Sequence, residues 1–469
     1  MLIYPPVGDF QRSEDRCQID ISASVANNYR ACNDLGYIAS VLKNQDYEIF
    51  LKDYPVEKGT FSVFEFDFSM LFPDIVFIST TNGSIYKDLD FIKKIKNLKN
   101  DIVVILKGAI FFNPKETLFN ELDLTSVDYL IGGEVEFIIS DLLKAHYNCK
   151  DDLFKIQGIS FKIEEKWHTN TVENFCSDLD SLPFPDRNLI KNELYINQLT
   201  NKPMATISTS RGCPSNCIYC LSPIISGKNV RYRSANNVLD ELNDCFFNHN
   251  IYDFFFKSDT FTINKAWVLE LCELIINSEL NGKINWVANS RVDTLDEEML
   301  LKMKQAGCSV IALGIESGSQ ETLEKIKKKT TIEQARNSVK LIKKVGLKIF
   351  GFYLVGFPWE NSSYLQATKE FIFELDTDYI ELSIATPFNG TELYSMCDTN
   401  VLGYDSFNNI IAGNDYLTKD DLEKFRKDVI FQYHLRPSFI LKKIFDKNLT
   451  INLFLNYIKY GLRLLKNLF

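Results

Sequence analysis

Three cysteines, Cys213, Cys217 and Cys220, fall within residues 207–223, which read Ile-Ser-Thr-Ser-Arg-Gly-Cys-Pro-Ser-Asn-Cys-Ile-Tyr-Cys-Leu-Ser-Pro. Cysteine thiolate is the usual ligand of iron–sulfur clusters, so a C-x3-C-x2-C loop can hold three corners of a four-iron cube. The fourth iron then has no protein ligand and is open to a substrate or a second cofactor. Gly212 tolerates backbone angles that a tightly wrapped loop requires, and Pro214 fixes its own φ. A structural zinc site wants four Cys or His ligands. The chain's histidines, His146, His168, His249 and His434, all lie outside the loop. A disulfide framework belongs to oxidising compartments, and no signal-peptide pattern opens the sequence.

The bulk composition sets bounds on the rest. At 469 residues, two or three domains are expected, and 45% apolar with 24% charged residues is ordinary for a globular chain. A net charge of −10 lacks the basic footprint of a general nucleic-acid binder, so no nucleic-acid partner is expected. No apolar run reaches the roughly 18 residues that a spanning helix needs. The remaining cysteines (Cys17, Cys32, Cys149, Cys176, Cys245, Cys272, Cys308 and Cys397) show no paired spacing. Reduced thiols in the cytoplasm fit that pattern.

Two runs of alternating strand and helix must position the loop. In residues 1–145, strands are predicted at 1–4, 47–52, 74–80, 102–107 and 128–132, with helices near 31–42, 88–98 and 134–143. Such alternation predicts a doubly wound, Rossmann-like α/β unit whose ligands sit at the carboxyl ends of the strands. Residues 146–200 read as a linker with a hairpin near 156–163. Residues 201–395 repeat strand and helix six times, with strands at 204–208, 252–257, 284–288, 309–314, 347–354 and 378–384. Thr294-x-x-Glu297 and Thr330-x-x-Glu333 have capping-box spacing, and Gly307 and Gly346 suit helix ends. Six such units predict a partial (β/α)6 barrel with its chemistry at the strand C-termini. Residues 396–469 form a helical extension.

The cysteine motif, with Tyr219 just before its last member, resembles the radical SAM superfamily. So do the segments at successive strand ends: Ser258-Asp259, Gly314-Ile315-Glu316-Ser317-Gly318, Gly356-Phe357-Pro358-Trp359-Glu360 and Pro387-Phe388-Asn389-Gly390-Thr391. The resemblance implies a 4Fe-4S cluster on Cys213, Cys217 and Cys220, and S-adenosylmethionine chelated to its open iron. Reductive cleavage of that cofactor gives methionine and a 5'-deoxyadenosyl radical, the electron coming from a donor such as a flavodoxin or ferredoxin. It also implies SAM contacts from Tyr219, Asp259, Arg291, Glu316, Gly356 and Glu360, with Glu316 at the ribose and Asp259 or Arg291 at the methionine moiety. The family often has Asp-Asp where this chain has Ser258-Asp259.

The first unit resembles the cobalamin-binding domain that precedes many radical SAM cores, through Tyr4-Pro5-Pro6, residues 73–79, residues 128–136 and the linker segment Leu182-Pro183-Phe184-Pro185-Asp186-Arg187. Cobalamin contacts are then implied for Ser79, Thr80, Gly108, Gly132, Gly133 and Glu134. No Asp-x-His-x-x-Gly supplies a cobalt ligand, and Lys107-Gly108 stands where the family commonly has Gly-Gly. The implied activity is cobalamin-dependent methylation of an unactivated carbon on a small-molecule, lipid or peptide substrate. Cobalamin-free cyclisation, rearrangement or C–C coupling, methylthio transfer, and a cobalamin sensor or carrier are the alternatives. Methylthio transfer is disfavoured because the first unit has no second three-cysteine set.

In the last segment Phe454, Ile458, Leu462, Leu465 and Phe469 share one helical face, and Lys459, Arg463 and Lys466 lie on the other. Apolar stripes mostly pack on a core, so a helix seated on the barrel is expected. The alternative is an interfacial helix in peripheral contact with a membrane.

Overall fold

The computed structural model describes all residues except 14–18, 20, 22–28, 44, 46, 398–415, 447–448 and 467–469. Cys17, Phe469 and part of the C-terminal extension therefore lie outside the described residues.

The first sheet contains β1 (Leu2–Tyr4), β2 (Leu51–Asp53), β3 (Ile75–Ser79), β4 (Val103–Lys107), β5 (Tyr129–Ile131), β6 (Ile159–Ile163) and β7 (Lys166–Thr169). Its order is β2-β1-β3-β4-β5-β6-β7, with β1 to β5 parallel. Helices Asn33–Leu42 and Val135–Asn148 cover one face, Phe61–Leu71 and Ile85–Leu98 the other, each over its own apolar layer. Helix Phe61–Leu71 goes beyond the three helices expected here. Its Phe-Glu-Phe-Asp-Phe alternation is strand-like, yet Thr60 caps a helix that buries Phe64 and Phe68, four apart, and leaves Phe66 exposed.

The hairpin expected near 156–163 forms as β6 and β7, turning at Glu164 and Glu165, both with positive φ. It pairs antiparallel with β5, so the sheet continues past residue 145 to residue 169. A free edge on β5 would expose unpaired backbone groups, and the hairpin covers it.

The second sheet comprises β8 (Ile196–Asn197), β9 (Lys202–Ser208), β12 (Asp253–Lys257), β13 (Asn285–Arg291), β14 (Cys308–Glu316), β15 (Lys348–Val355) and β16 (Tyr379–Ile384); β10 (Ser210–Arg211) and β11 (Arg231–Tyr232) form a separate ribbon. The order is β16-β15-β14-β13-β12-β9-β8, and its six long strands are parallel. This is an open half-barrel, because β9 and β16 are not neighbours. Its core includes Trp286 stacked on Phe256 at 4.6 Å.

Gly307 and Gly346 both take positive φ, but the helix starts fall later than the sequence spacing suggests. Asp296 caps Glu297–Gln305, and Thr331 forms a capping box with Gln334 ahead of Ile332–Val345. Thr294 and Thr330 are turned to other work: the Thr294 hydroxyl bonds Thr262 at 2.7 Å, and Thr330 is buried.

Helix Lys419–Leu435 packs on β16, followed by Pro437–Ile444 and Ile451–Lys466. The expectation that the last helix seats its stripe on the barrel is corrected: Phe454, Ile458 and Leu462 are exposed, while Leu453 is buried and Tyr457 half-buried. Their two positions lie on the opposite side of a 3.6-residue helix.

Candidate active site

The cysteine loop is clamped at both ends. It leaves β10, which pairs with β11, so the ribbon closes the loop like a clasp. Gly212 has φ +100°, and a Cβ there would stand 2.2 Å from the Asn229 carbonyl oxygen. Its N–H donates to Asp259 Oδ2 at 2.7 Å, and the Cys213 N–H donates to the Gly227 carbonyl at 3.0 Å. The Ile218 N–H reaches the Ile326 carbonyl at 3.2 Å, pinning the loop to the end of helix Gln320–Lys325.

Cys213, Cys217 and Cys220 line one cavity of about 270 Å³ at the C-terminal ends of the barrel strands. Among the described residues, no trio of His, Cys, Asp or Glu is close enough to hold a single metal ion. A cubane cluster has no need of such a trio, since each thiolate meets a different iron. Burial pushes the Cys220 thiol up to about 11, and hydrogen bonds from Ser222 pull the other way. Burial likewise raises the Cys217 thiol, opposed by the nearby charge of Lys328. Loading the loop with iron therefore releases protons.

Glu316 ends β14 with φ +71°, a conformation uncommon for a residue with a side chain, and turns its carboxylate over the cavity wall. The Lys328 Nζ meets Glu316 Oε1 at 2.5 Å, with both side chains buried. Burial, and after it the charge of the same carboxylate, raise the Tyr219 phenol well above its ordinary value. A Cβ on Gly314 would lie 2.8 Å from Glu316 Oε1 and 3.0 Å from Lys328 Nζ, which explains the glycine opening that motif. Arg291 ends β13, grips Asp293 through two bonds of 2.9 Å, and donates to the Lys328 carbonyl at 2.8 Å and to Ser215 Oγ at 3.2 Å. A buried guanidinium and a buried ammonium thus stand beside the cysteines, where an anionic cluster and a carboxylate-bearing cofactor would be stabilised.

Of the six residues expected at S-adenosylmethionine, Tyr219, Asp259, Arg291 and Glu316 line this cavity. Gly356 and Glu360 do not. Glu360 is fully buried and accepts from the N–H groups of Gly356 (2.7 Å) and Phe357 (3.1 Å) and from the Thr322 hydroxyl (3.1 Å). It braces its own turn, and the turn reaches the site through Phe357, whose ring lies 6.0 Å from that of Tyr219. Asp259 is likewise engaged, through its bond to the cluster loop. Sequence reasoning missed Lys328, which sits in a lysine run that normally marks a solvated surface, although positive φ at Lys327 and Lys329 folds it inward. It also missed Arg30 and Glu381, which line the cavity together with the barrel-facing Phe352. Arg30 comes from the first unit and stacks over Phe255 of β12 at 3.8 Å. Burial raises the Glu381 carboxyl above its usual range, and Arg30 draws it back.

The C-terminal ends of the two sheets face each other across a second cleft of about 120 Å³, lined in part by Lys107, Gly132, Gly133, Glu134, Arg211, Lys257 and Asp259. Asp259 is on the wall of both spaces. A further hollow of about 490 Å³ lies beyond Gly133 and Glu134. Of the residues expected at cobalamin, Gly132, Gly133 and Glu134 reach the cleft, whereas Ser79, Thr80 and Gly108 do not. The Ser79 hydroxyl donates to Asp34 at 2.6 Å and that of Thr80 to Asp88 at 2.6 Å; Asp88 is also held by buried Arg12. A Cβ on Gly108 would meet the Thr80 side chain at 2.8 Å, and one on Gly132 would meet the Phe111 carbonyl oxygen at 2.0 Å, so both glycines serve internal packing. Glu134 pairs with Arg211 at 3.0 Å and Arg231 at 2.9 Å across the two units.

Fold and site together define an α/β half-barrel enzyme built around a three-cysteine loop suited to a four-iron cluster. The chain belongs to the radical SAM superfamily, and it is a radical SAM enzyme. That family's profile, Radical SAM superfamily, matches residues 207–372. An uncharacterized methyltransferase of Pyrococcus horikoshii is 30% identical over 419 residues, 88% of this chain and 89% of its own. The radical S-adenosylmethionine methyltransferase TsrM from Kitasatospora setae superposes over 77% of this chain and 72% of its own, with TM-score 0.63 and 17% identity. The cobalamin-dependent S-adenosylmethionine radical enzyme OxsB superposes over 84% of this chain and 54% of its own, with TM-score 0.63 and 21% identity. At these identities the likeness to TsrM and OxsB is one of fold.

Proposed function

We propose that the chain is a cobalamin-dependent radical SAM methyltransferase acting on an unactivated carbon. One observation carries the reading: the cysteine cavity and the cleft between the two sheets share Asp259, so a cluster site and a corrinoid site would adjoin. The kinship with a methyltransferase and the TsrM fold, known with cobalamin and a [4Fe-4S] cluster bound, supports it. When bound, the cluster supplies the electron that cleaves S-adenosylmethionine, and the corrinoid supplies the methyl group.

The chain's own residues bind and orient. Cys213, Cys217 and Cys220 would hold the cluster. Arg291, Lys328 and the Tyr219–Glu316 pair would hold S-adenosylmethionine beside it, the carboxylate toward the cations and the ribose toward Glu316. The cleft's mixed cations, acids and hydroxyls suit the amide- and phosphate-bearing rim of a corrinoid, with Lys107, Arg211 and Lys257 as the cations. Arg30, Asn289, Phe352 and Glu381 also line the cavity and offer polar groups and a ring against which a substrate would rest. A cytoplasmic setting and a flavodoxin- or ferredoxin-type electron donor complete the reading.

Methylthio transfer is the weaker reading: before residue 200 the cysteines are Cys17, Cys32, Cys149 and Cys176, too scattered for a second cluster loop. The test is anaerobic purification with hydroxocobalamin, followed by ultraviolet–visible spectra and quantitation of iron, sulfide and cobalt. About four irons with one cobalt per chain are expected, iron being lost in Cys217→Ala. Iron without cobalt would restrict the enzyme to cobalamin-free radical chemistry. A chain that takes up no iron would overturn the reading.

A further inference from the structure

The last two helices carry an apolar surface that the barrel does not use. On Pro437–Ile444 and the turn after it, Leu441, Ile444 and Phe445 are exposed, Phe445 at 77%. On Ile451–Lys466, Ile451 (80%), Phe454, Leu455, Ile458 and Leu462 (60%) are exposed. With 3.6 residues per turn these five fall within about 100° of arc, one unbroken stripe.

The two helices present this surface together because their inner sides converge on one anchor. The Tyr457 hydroxyl meets that of Tyr379, the first residue of β16, at 3.5 Å. Lys443 Nζ lies 4.0 Å from the Tyr379 ring centroid and 5.7 Å from that of Tyr457. Asp446, between the helices, pairs with Lys348 at the start of β15 at 2.8 Å. Asn456 donates to the Gln198 carbonyl at 2.9 Å, near the other edge of the half-barrel. The pair therefore closes the barrel at the N-terminal ends of its strands, opposite the cysteine loop, with its apolar side turned outward.

We propose that this surface docks the enzyme on an anionic membrane, the two helices lying in the interface. Charge selects this occupant. Residues 447–469 carry Lys447, Lys459, Arg463 and Lys466 and no acid, in a chain whose net charge is −10, while Lys442 and Lys443 are held inward by Asp378 and the Tyr379 ring. A second copy docked about a two-fold axis would press this cationic segment against itself, whereas an anionic leaflet attracts it. An apolar stripe flanked by cations is the pattern of a helix that lies in the headgroup region. The 16 described residues of the last helix rise about 24 Å, short of the roughly 30 Å of hydrocarbon that a spanning helix crosses. No helix among the described residues is long and apolar enough to cross a membrane. The inference stands apart from which radical reaction the cavity performs.

The test is co-sedimentation of the cluster-loaded full chain with sucrose-filled vesicles, of phosphatidylcholine alone or mixed with phosphatidylglycerol. Binding to the mixed vesicles that weakens as salt rises is expected. The combined variant Phe445→Glu, Ile458→Glu and Leu462→Glu changes only exposed side chains, so it should keep its iron and its SAM cleavage while its partition falls at least about ten-fold. Parent protein that stays in the supernatant with both vesicle types would overturn the proposal. So would a variant, with iron and SAM cleavage intact, that sediments as the parent does. A parent that is dimeric by analytical ultracentrifugation, becomes monomeric in the variant and ignores vesicles would make this surface a self-interface instead.

Discussion

At the cavity wall, burial works against the charge of Lys328, but Glu316 and the neighbouring Cys217 together outweigh it and hold the ammonium above its ordinary value. Removing one partner of such a pair leaves the other buried and uncompensated, a loss of about 3–5 kcal/mol. Lys328→Met is therefore expected to lower the unfolding free energy by about that amount and to abolish SAM cleavage, while Lys328→Arg keeps most of the stability; equal unfolding midpoints for the three proteins would refute the pairing. Glu360 behaves in the opposite sense. Burial raises its carboxyl to about 7, with the N–H groups of Phe357 and Gly356 and the Thr322 hydroxyl only partly offsetting it. Between the model-peptide value near 4.3 and about 7, the folded chain keeps a proton that the unfolded chain releases. This contribution thus weakens stability as pH rises through that window. Glu360→Gln should flatten that part of the fall between about pH 5 and pH 8. Denaturant titrations at both ends, on parent and variant, measure it.

Among the elements, the helix starts show how closely a side chain must sit to be a cap. Thr331 accepts from the Gln334 N–H at 3.1 Å, and the Thr331 N–H donates to Gln334 Oε1 at 2.8 Å. Thr331→Ala should cost about 1 kcal/mol, and Glu333→Gln, one residue out of register, should cost close to nothing. The reverse ranking in thermal melts would return the box to Thr330 and Glu333. The β10–β11 ribbon works by the same short-range logic. It joins the two ends of the segment that carries the cysteine loop.

The whole molecule is held together at the cleft. Arg211 lies between Glu134 at 3.0 Å and Glu136, Arg231 adds a second contact to Glu134, and Arg187 is buried against Glu241 at 2.7 Å. Burial opposes the Arg211 charge, and Glu136 and Glu134 more than restore it. Arg211→Met strands Glu136 at the junction of the units and leaves Glu134 to Arg231 alone. An unfolding penalty of about 3–5 kcal/mol is expected, with faster protease cleavage in the segment between β7 and β8. Cleavage at the parental rate would mean the units are held by other contacts. The same junction sets the size of the cleft, so metal and corrinoid content of this variant also reports on how the two sites communicate.

The cysteine loop, the alternation of strand and helix in both units and the acids at the strand ends could be read from the chain, because each rests on spacing within one segment. Thiolate number fixes what Cys213, Cys217 and Cys220 can bind, and period-two or period-3.6 apolar patterning fixes the elements. The tertiary structure alone decided the roles of Lys328, Arg30 and Glu381, since the charged or aromatic groups they meet (Glu316, Phe255 and Arg30) lie 12 or more residues away. It also turned Glu360, Ser79 and Thr80 from ligand contacts into internal braces, since a buried oxygen takes the nearest donor or acceptor that packing supplies. The C-terminal stripe shows the same limit. Its helical face follows from the sequence, but whether that face meets a core or solvent depends on which side Tyr379 and Gln198 hold down.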